Sequence, residues 1–323
     1  MIIRPEEYPA DTGRDTGQVP QRWIILLLCS GFFAMSMLLR SSTAVIATSL
    51  SKDLNLSLDD LGLLGAALFY TSGLVQIPLG VLLDRIGPRL TLLFLNAIGV
   101  AGVLVFALAG GLTGGLTGRV LMGVGMAANL MAPLILLTRW FKAEEFGTVS
   151  GLIASLGSLG GLFTTTPMVI SANWIGWRGV FIVLALILAS LTVALYFWVS
   201  DDPPDQKFDR PSTTPKPMMS LRQKIYILLT DRSYWSISLA AGLRYGAFAA
   251  VQTLWVGPFL MIHLDLEPIT AGNILLMLSI GSIIGPPLGG YLSDKILKSR
   301  KKAGNISMIL LAGCLLAVTF WPA

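Results

Sequence analysis

Charge is absent from long stretches of this sequence and crowded into the short segments between them. Residues 23–39, 61–83, 90–118, 146–177 and 179–200 contain no Asp, Glu, Lys or Arg. A tract of about 20 such residues crosses a bilayer as one helix. Backbone groups in lipid have no water to bond, so the helix must satisfy them internally. Of 323 residues, 54% are hydrophobic and 13% charged, against about a quarter charged in soluble domains. The pattern predicts an all-α, polytopic membrane helix bundle.

Nine spans are expected, at about 23–48, 58–83, 89–111, 114–140, 146–170, 176–199, 234–262, 269–293 and 304–321. The separators are Asp53–Asp60, Asp84–Arg89, Gly110–Gly118, Lys142–Glu145 and Asn173–Arg178. Residues 1–22 form a polar tail without the apolar core of a signal peptide, so span one serves as an uncleaved anchor. Residues 23–199 form a six-helix bundle. The segment 200–232 begins DDPPDQKFDRPSTTPKP and reads as a linker, ending in a short basic amphipathic stretch. Residues 233–323 form a second, partial bundle of three spans.

Net charge is +5, but the basic residues sit in connectors, which argues for topology and not for nucleic acid. With the N-terminus in the cytoplasm, 18 of the 23 Lys and Arg residues fall on the cytoplasmic side and two, Lys52 and Arg178, outside. Basic residues are held inside, so a multi-pass protein of the cytoplasmic (inner) membrane is expected, with anionic lipid as its acidic partner. Trp23, Trp140, Trp174, Trp177 and Trp235 lie near span ends and are expected to form an aromatic belt. Cys29 and Cys314 lie inside apolar runs and read as packing residues. No metal cluster, cofactor motif or nucleophile–base pair is evident, so enzymatic function has no support. Pro133, Pro167, Pro258, Pro286 and Pro287 predict kinks.

Between spans two and three stands Gly80-Val-Leu-Leu-Asp84-Arg85-Ile-Gly87-Pro88-Arg89. A related copy, Gly290-Tyr-Leu-Ser-Asp294-Lys295, follows span eight. The two carboxylates are 210 positions apart, the separation of two repeated six-helix halves. Arg119-Val-Leu-Met-Gly123-Val-Gly125-Met-Ala127 in span four and Trp177-Arg178-Gly179-Val-Phe181 opening span six agree. Together these motifs resemble those of the major facilitator superfamily, over essentially the whole chain. The resemblance implies twelve spans in two pseudo-symmetric halves, and so a C-terminal truncation here. It also implies alternating access, with Asp84, Arg85, Arg89 and Asp294 latching the cytoplasmic side in one state.

An ionisable group inside a span is costly and marks a candidate site. Arg40 in span one and Arg244 in span seven are equivalent by the repeat. Ser36 and Thr43 share a face with Arg40; Tyr245 and Gln252 accompany Arg244. A guanidinium suits phosphate or carboxylate because it donates paired hydrogen bonds and keeps its charge. The competing role for Arg40 is snorkelling to the outer boundary. Tyr70, Gln76 and Asn129 are further cavity candidates, with interhelical bonding as the alternative. The stretch Arg40–Ser57, ending Asp53-Leu54-Asn55-Leu56-Ser57, is similar to that of sugar-phosphate permeases and anion:cation symporters, with Ser57 as a helix cap. Acidic positions common in that group are Leu39 and Met126 here. His263 reads as an interfacial residue. The expected function is therefore secondary transport of a small organic anion, such as an organophosphate or carboxylate, by exchange or symport, in a monomer; any coupling ion is left open. A transporter-like sensor of a sugar phosphate and a drug or lipid exporter are the alternatives.

Overall fold

The computed structural model describes residues 19–164, 166–203, 226, 229–250, 259–260, 264–265 and 268–319. The tail, most of the linker, Gln252 and His263 lie outside these described residues, as does the side chain of Arg244. The described chain is helical: α1 (Val19–Leu54), α2 (Leu58–Ala107), α3 (Leu112–Met126), α4 (Met131–Trp140), α5 (Phe146–Phe163), α6 (Thr166–Trp198), α7 (Arg232–Ala250), α8 (Pro268–Tyr291), a π-helical turn (Leu292–Ile296) and α9 (Arg300–Thr319). Five segments are long and apolar enough to cross a bilayer: Gln21–Thr43, Leu58–Ala107, Leu112–Trp140, Phe146–Phe163 and Pro167–Trp198. The second, at 50 residues, holds two spans.

Local chemistry sets the helix ends. Asn55 takes a left-handed φ of 50°, turning the chain out of α1. Ser57 then caps α2 in a reciprocal box: its hydroxyl accepts from the Asp60 amide at 3.2 Å, and the Asp60 carboxylate accepts from the Ser57 amide at 2.9 Å. Two orphan amide donors are satisfied in one exchange. Gly87 divides α2 into its two spans, with φ 82° and ψ 165°, a conformation open to glycine and costly for other residues. Pro88 follows at the first position of the resumed helix, where its missing N–H is harmless. Gly176, at φ 71° and ψ 161°, makes the equivalent bend in α6.

Span four was expected to be continuous over 114–140, but it is interrupted between Met126 and Met131. Pro133 cannot donate to the Asn129 carbonyl, and the amides of Ala127 and Asn129 tighten onto Val124 and Met126, three residues back. Span five is likewise interrupted, between Phe163 and Thr166 and just ahead of Pro167.

The chain forms two compact units. One comprises Met1–Phe141 with Gly160–Asp201, the other Lys142–Leu159 with Asp202–Ala323. The core of the first is built from Ile25, Phe32 and Leu39 of α1, Leu64, Leu68, Leu92 and Phe106 of α2, Met122 of α3 and Phe181 of α6. The most extensive packing is α2 on α3. A Cβ added at Gly125 would clash with the Gly99 backbone, so small residues on both helices set that separation. In the second unit α5 packs on α8, with Gly147 and Gly151 against Gly290 and Pro286. Large apolar side chains such as Phe94, Leu186 and Phe197 remain exposed, as lipid-facing residues must. Cys29 is buried, but Cys314 is exposed on α9, as is Leu310 one turn earlier on the same face. An apolar thiol facing lipid incurs no penalty, so that expectation of burial is corrected.

Candidate functional site

The interior of the first unit holds a chain of polar groups across α1, α2 and span four. Asn129, fully buried, lies in the break of span four. Its Nδ2 donates to Ser36 Oγ at 3.0 Å, to the Phe32 carbonyl at 3.3 Å and to Asn96 Oδ1 at 3.1 Å. Asn96 Nδ2 returns a bond to Asn129 Oδ1 at 2.8 Å. The two amides thus pair reciprocally, and Ser36 donates onward to Met126 Sδ at 3.3 Å. From α2, one turn apart, Ser72 donates to the Gly123 carbonyl at 3.0 Å and Gln76 to the Ala127 carbonyl at 3.0 Å. The Ala127 carbonyl lies in the interruption, where regular helix bonding lapses, and the Gly123 carbonyl one turn before it.

Arg40 is half-buried on α1 with its guanidinium 5.8 Å from the Phe69 ring centre. Thr43 on the same helix is buried, and its hydroxyl has no hydrogen-bond partner. Tyr70 is exposed on α2, beside Phe69, Gly73 and Leu74 on the helix surface. Gly123 lies against the Leu68 carbonyl of α2. Arg119 has no exposed surface. Its Nη1 donates to the Leu39 carbonyl at 2.9 Å, and its guanidinium lies 4.8 Å from the Phe106 ring centre.

At one end of this unit, Asp53 Oδ2 accepts from Trp177 Nε1 and Arg178 Nη1, each at 2.8 Å. Arg178 Nη2 donates to the Ala109 carbonyl at 3.1 Å. Trp177, Phe106 and Phe181 pack edge to face or tilted, at 4.8–6.3 Å between centres. Three motifs that are separate in the chain therefore meet: Asp53 of the D-L-N-L-S segment, Trp177 and Phe181 of the W-R-G-V-F run, and Arg119 on the Phe106 ring. Trp140 and Trp177 are 5% and 4% exposed, with their indole N–H groups bonded to Ser200 and Asp53. They are internal anchors and not members of an exposed belt, whereas Trp23, Trp174 and Trp235 are exposed.

At the opposite end, Arg89 is tied to α6. Its backbone N–H donates to Asp201 Oδ1 at 2.9 Å and its Nη2 to the Tyr196 carbonyl at 2.6 Å. Asp201 caps the helix that resumes after Gly87. Gly80, Asp84 and Arg85 are exposed along the same connection. In the second unit, the Asp294 carboxylate accepts from the Thr148 amide at 2.7 Å and its hydroxyl at 3.0 Å. It sits at the positive end of α5, where an anion is stabilised. Gly290 packs against Gly147 and Thr148, Lys295 is exposed, and Arg300 Nη2 bonds the Ala143 carbonyl at 3.0 Å. Tyr245 is exposed on α7, and Arg244 occupies a helical position there.

Asn96, Ser72 and Asp201 were not singled out from sequence. Asn96 is the one amide in an otherwise apolar span three, a signal that could have found it. Asp201 opens a proline-rich acidic segment and reads as linker until its partner is seen.

Comparison with known proteins places these motifs. The family model for the Major Facilitator Superfamily matches residues 26–323. The chain is 26% identical to a probable sulfoacetate transporter, SauU, of Cupriavidus necator, over 93% of this chain and 72% of the relative. It is 27% identical to a nitrite extrusion protein of Bacillus subtilis, over 84% and 64% of the respective chains. It is 25% identical to a probable L-galactonate transporter of Escherichia coli, over 83% and 61%. The chain thus spans under two thirds of the last two. The solved proton:xylose symporter XylE is similar in fold, with a TM-score of 0.61 at 15% identity, over 86% of this chain and 70% of that one. With helical spans, paired loop motifs and a family match over nearly its full length, this chain belongs to the Major Facilitator Superfamily.

Proposed function

We propose that the protein is a secondary transporter of a small organic anion, an organophosphate or a carboxylate, working by alternating access through exchange or symport. One observation carries the reading: the charged groups inside the described spans are arginines, Arg40 and Arg119, while the described carboxylates lie at helix ends or in connectors. A cation in a dry helix bundle costs several kcal/mol at most positions, and a transporter recovers that cost when an anion enters. The relatives fit this chemistry, since sulfoacetate, nitrite and L-galactonate are all anions.

Arg40 is the proposed contact residue in the first unit, its guanidinium held at the Phe69 ring. Arg244 is its proposed counterpart in the second half. Asp294, already bonded to Thr148 at the start of α5, is proposed to hold the cytoplasmic side closed in one state, with Asp84, Arg85 and Arg89 serving the equivalent loop. The proposed setting is the cytoplasmic membrane with the N-terminus inside.

Uptake into proteoliposomes tests the reading, with radiolabelled sulfoacetate, galactonate, glucose 6-phosphate and glycerol 3-phosphate as probes. One of these anions is expected to be carried, and Arg40→Ala and Arg244→Ala are each expected to reduce its uptake by at least about ten-fold, the loss of one charge-assisted contact. Undiminished anion uptake in both variants removes the arginine assignment.

A further inference from the structure

We propose that Arg119 is a specificity-determining residue that favours anions through its electrostatic field and through α1, without touching the substrate. The inference rests on the anion-transport reading above and extends it to a residue with no exposed surface.

Arg119 has no exposed surface, yet only one of its nitrogens has a hydrogen-bond partner. Nη1 bonds the Leu39 carbonyl, while Nε and Nη2 are buried with no partner. Among the described residues no carboxylate forms an ion pair with it, unlike Arg178, which pairs with Asp53. The Phe106 ring at 4.8 Å offers a cation–π contact, which lowers the cost of burial but leaves the net charge in place. A structural arginine is ordinarily neutralised by a carboxylate or fully bonded to carbonyls. This one is neither.

An unneutralised charge in a dry interior reaches far, because low-dielectric surroundings weaken it little and salt does not screen it. The side chain also bears on a particular place. The carbonyl it grips belongs to the peptide that joins Leu39 to Arg40, so the same contact fixes the turn of α1 that presents Arg40. Ser42 Oγ donates to that carbonyl as well, at 2.9 Å. An anion near Arg40 is then stabilised by two cations, one in contact and one at a distance.

The test uses the protein in proteoliposomes and in detergent, with Arg119→Met, Arg119→Gln and Arg119→Lys. Whichever of the four anions the wild type carries serves as the probe. The expected result is that Met and Gln raise KM for that anion about ten-fold, the order of one unit charge acting across a few helix turns in protein. Lys, which keeps the charge and loses the fork, is expected to restore KM to within about three-fold of wild type. Thermal midpoints without anion should not fall in the Met variant, since removing an unneutralised buried charge relieves desolvation. Wild-type KM in both neutral variants overturns the proposal, and so does a Lys variant as impaired as Met. A fall in the midpoint of Met that accounts for its lost uptake also overturns it, by making the role structural. Should the wild type carry none of the four anions, the anion reading itself falls, and this proposal with it.

Discussion

At the scale of single residues, the amide cluster separates packing from binding. Asn129 was a cavity candidate by its position in span four, and the geometry instead engages its amide with Asn96, Ser36 and Phe32. In a dry interior each of those groups loses a partner if the amide is removed. Asn129→Leu is expected to cost about 1–2 kcal/mol, read as a lower thermal midpoint in detergent. Gln76→Leu should cost less, about 0.6 kcal/mol, because Gln76 is exposed and bonds the Ala127 carbonyl from the edge of the bundle. A midpoint lowered more by Gln76→Leu than by Asn129→Leu would contradict the accounting. The sequence shows that polar residues stand in these spans, but not which of them face each other. Asn96 and Asn129 are 33 positions apart, and only the packing of α2 on span four makes them a pair.

At the scale of helices, some boundaries are local and others are not. The bends at Gly87 and Gly176 are legible because charge, glycine and proline or tryptophan punctuate the chain there. The break at Met126–Met131 is not, since the apolar and small-residue pattern runs through it and only Pro133 hints at it. The two bends also differ in surroundings, which yields a paired prediction. A Cβ at Gly87 would lie 3.0 Å from Asp201 Oδ2, whereas nothing lies within 4 Å of one at Gly176. Both substitutions incur the left-handed penalty, about 1–2 kcal/mol. Gly87→Ala must also displace the carboxylate that caps the resumed helix, about 1 kcal/mol more. The expected order of thermal midpoints is wild type, then Gly176→Ala, then Gly87→Ala. Adding Asp201→Ala to Gly87→Ala should cost less than the two changes summed, because the clash and the cap share one side chain.

At the scale of the whole molecule, the distribution of charge bears on how the chain sits in a bilayer. In the first unit, contacts gather Arg22, Phe141, Ser200, Asp201 and Arg89 at one end, and Asp53, Trp177, Arg178 and Ala109 at the other. The first end lies beside the connector carrying Arg85 and the last turn of α4 with Arg139, and is the more basic. Its segregation from the other end was legible as a count of Lys and Arg along the sequence; that the basic segments converge needed the fold. In the proposed orientation, the membrane potential and anionic inner leaflet would retain such a cluster on the cytoplasmic side. Lys52 and Lys298, both exposed, serve as reporters, since they adjoin connectors assigned to opposite sides. With Cys29 and Cys314 replaced by serine, Lys52→Cys is expected to react with a membrane-impermeant maleimide on intact cells, and Lys298→Cys only after permeabilisation. Labelling of Lys298→Cys on intact cells, with Lys52→Cys protected, would invert the orientation. The loop containing Asp294 would then face outward, and its proposed role as a cytoplasmic latch would end with it.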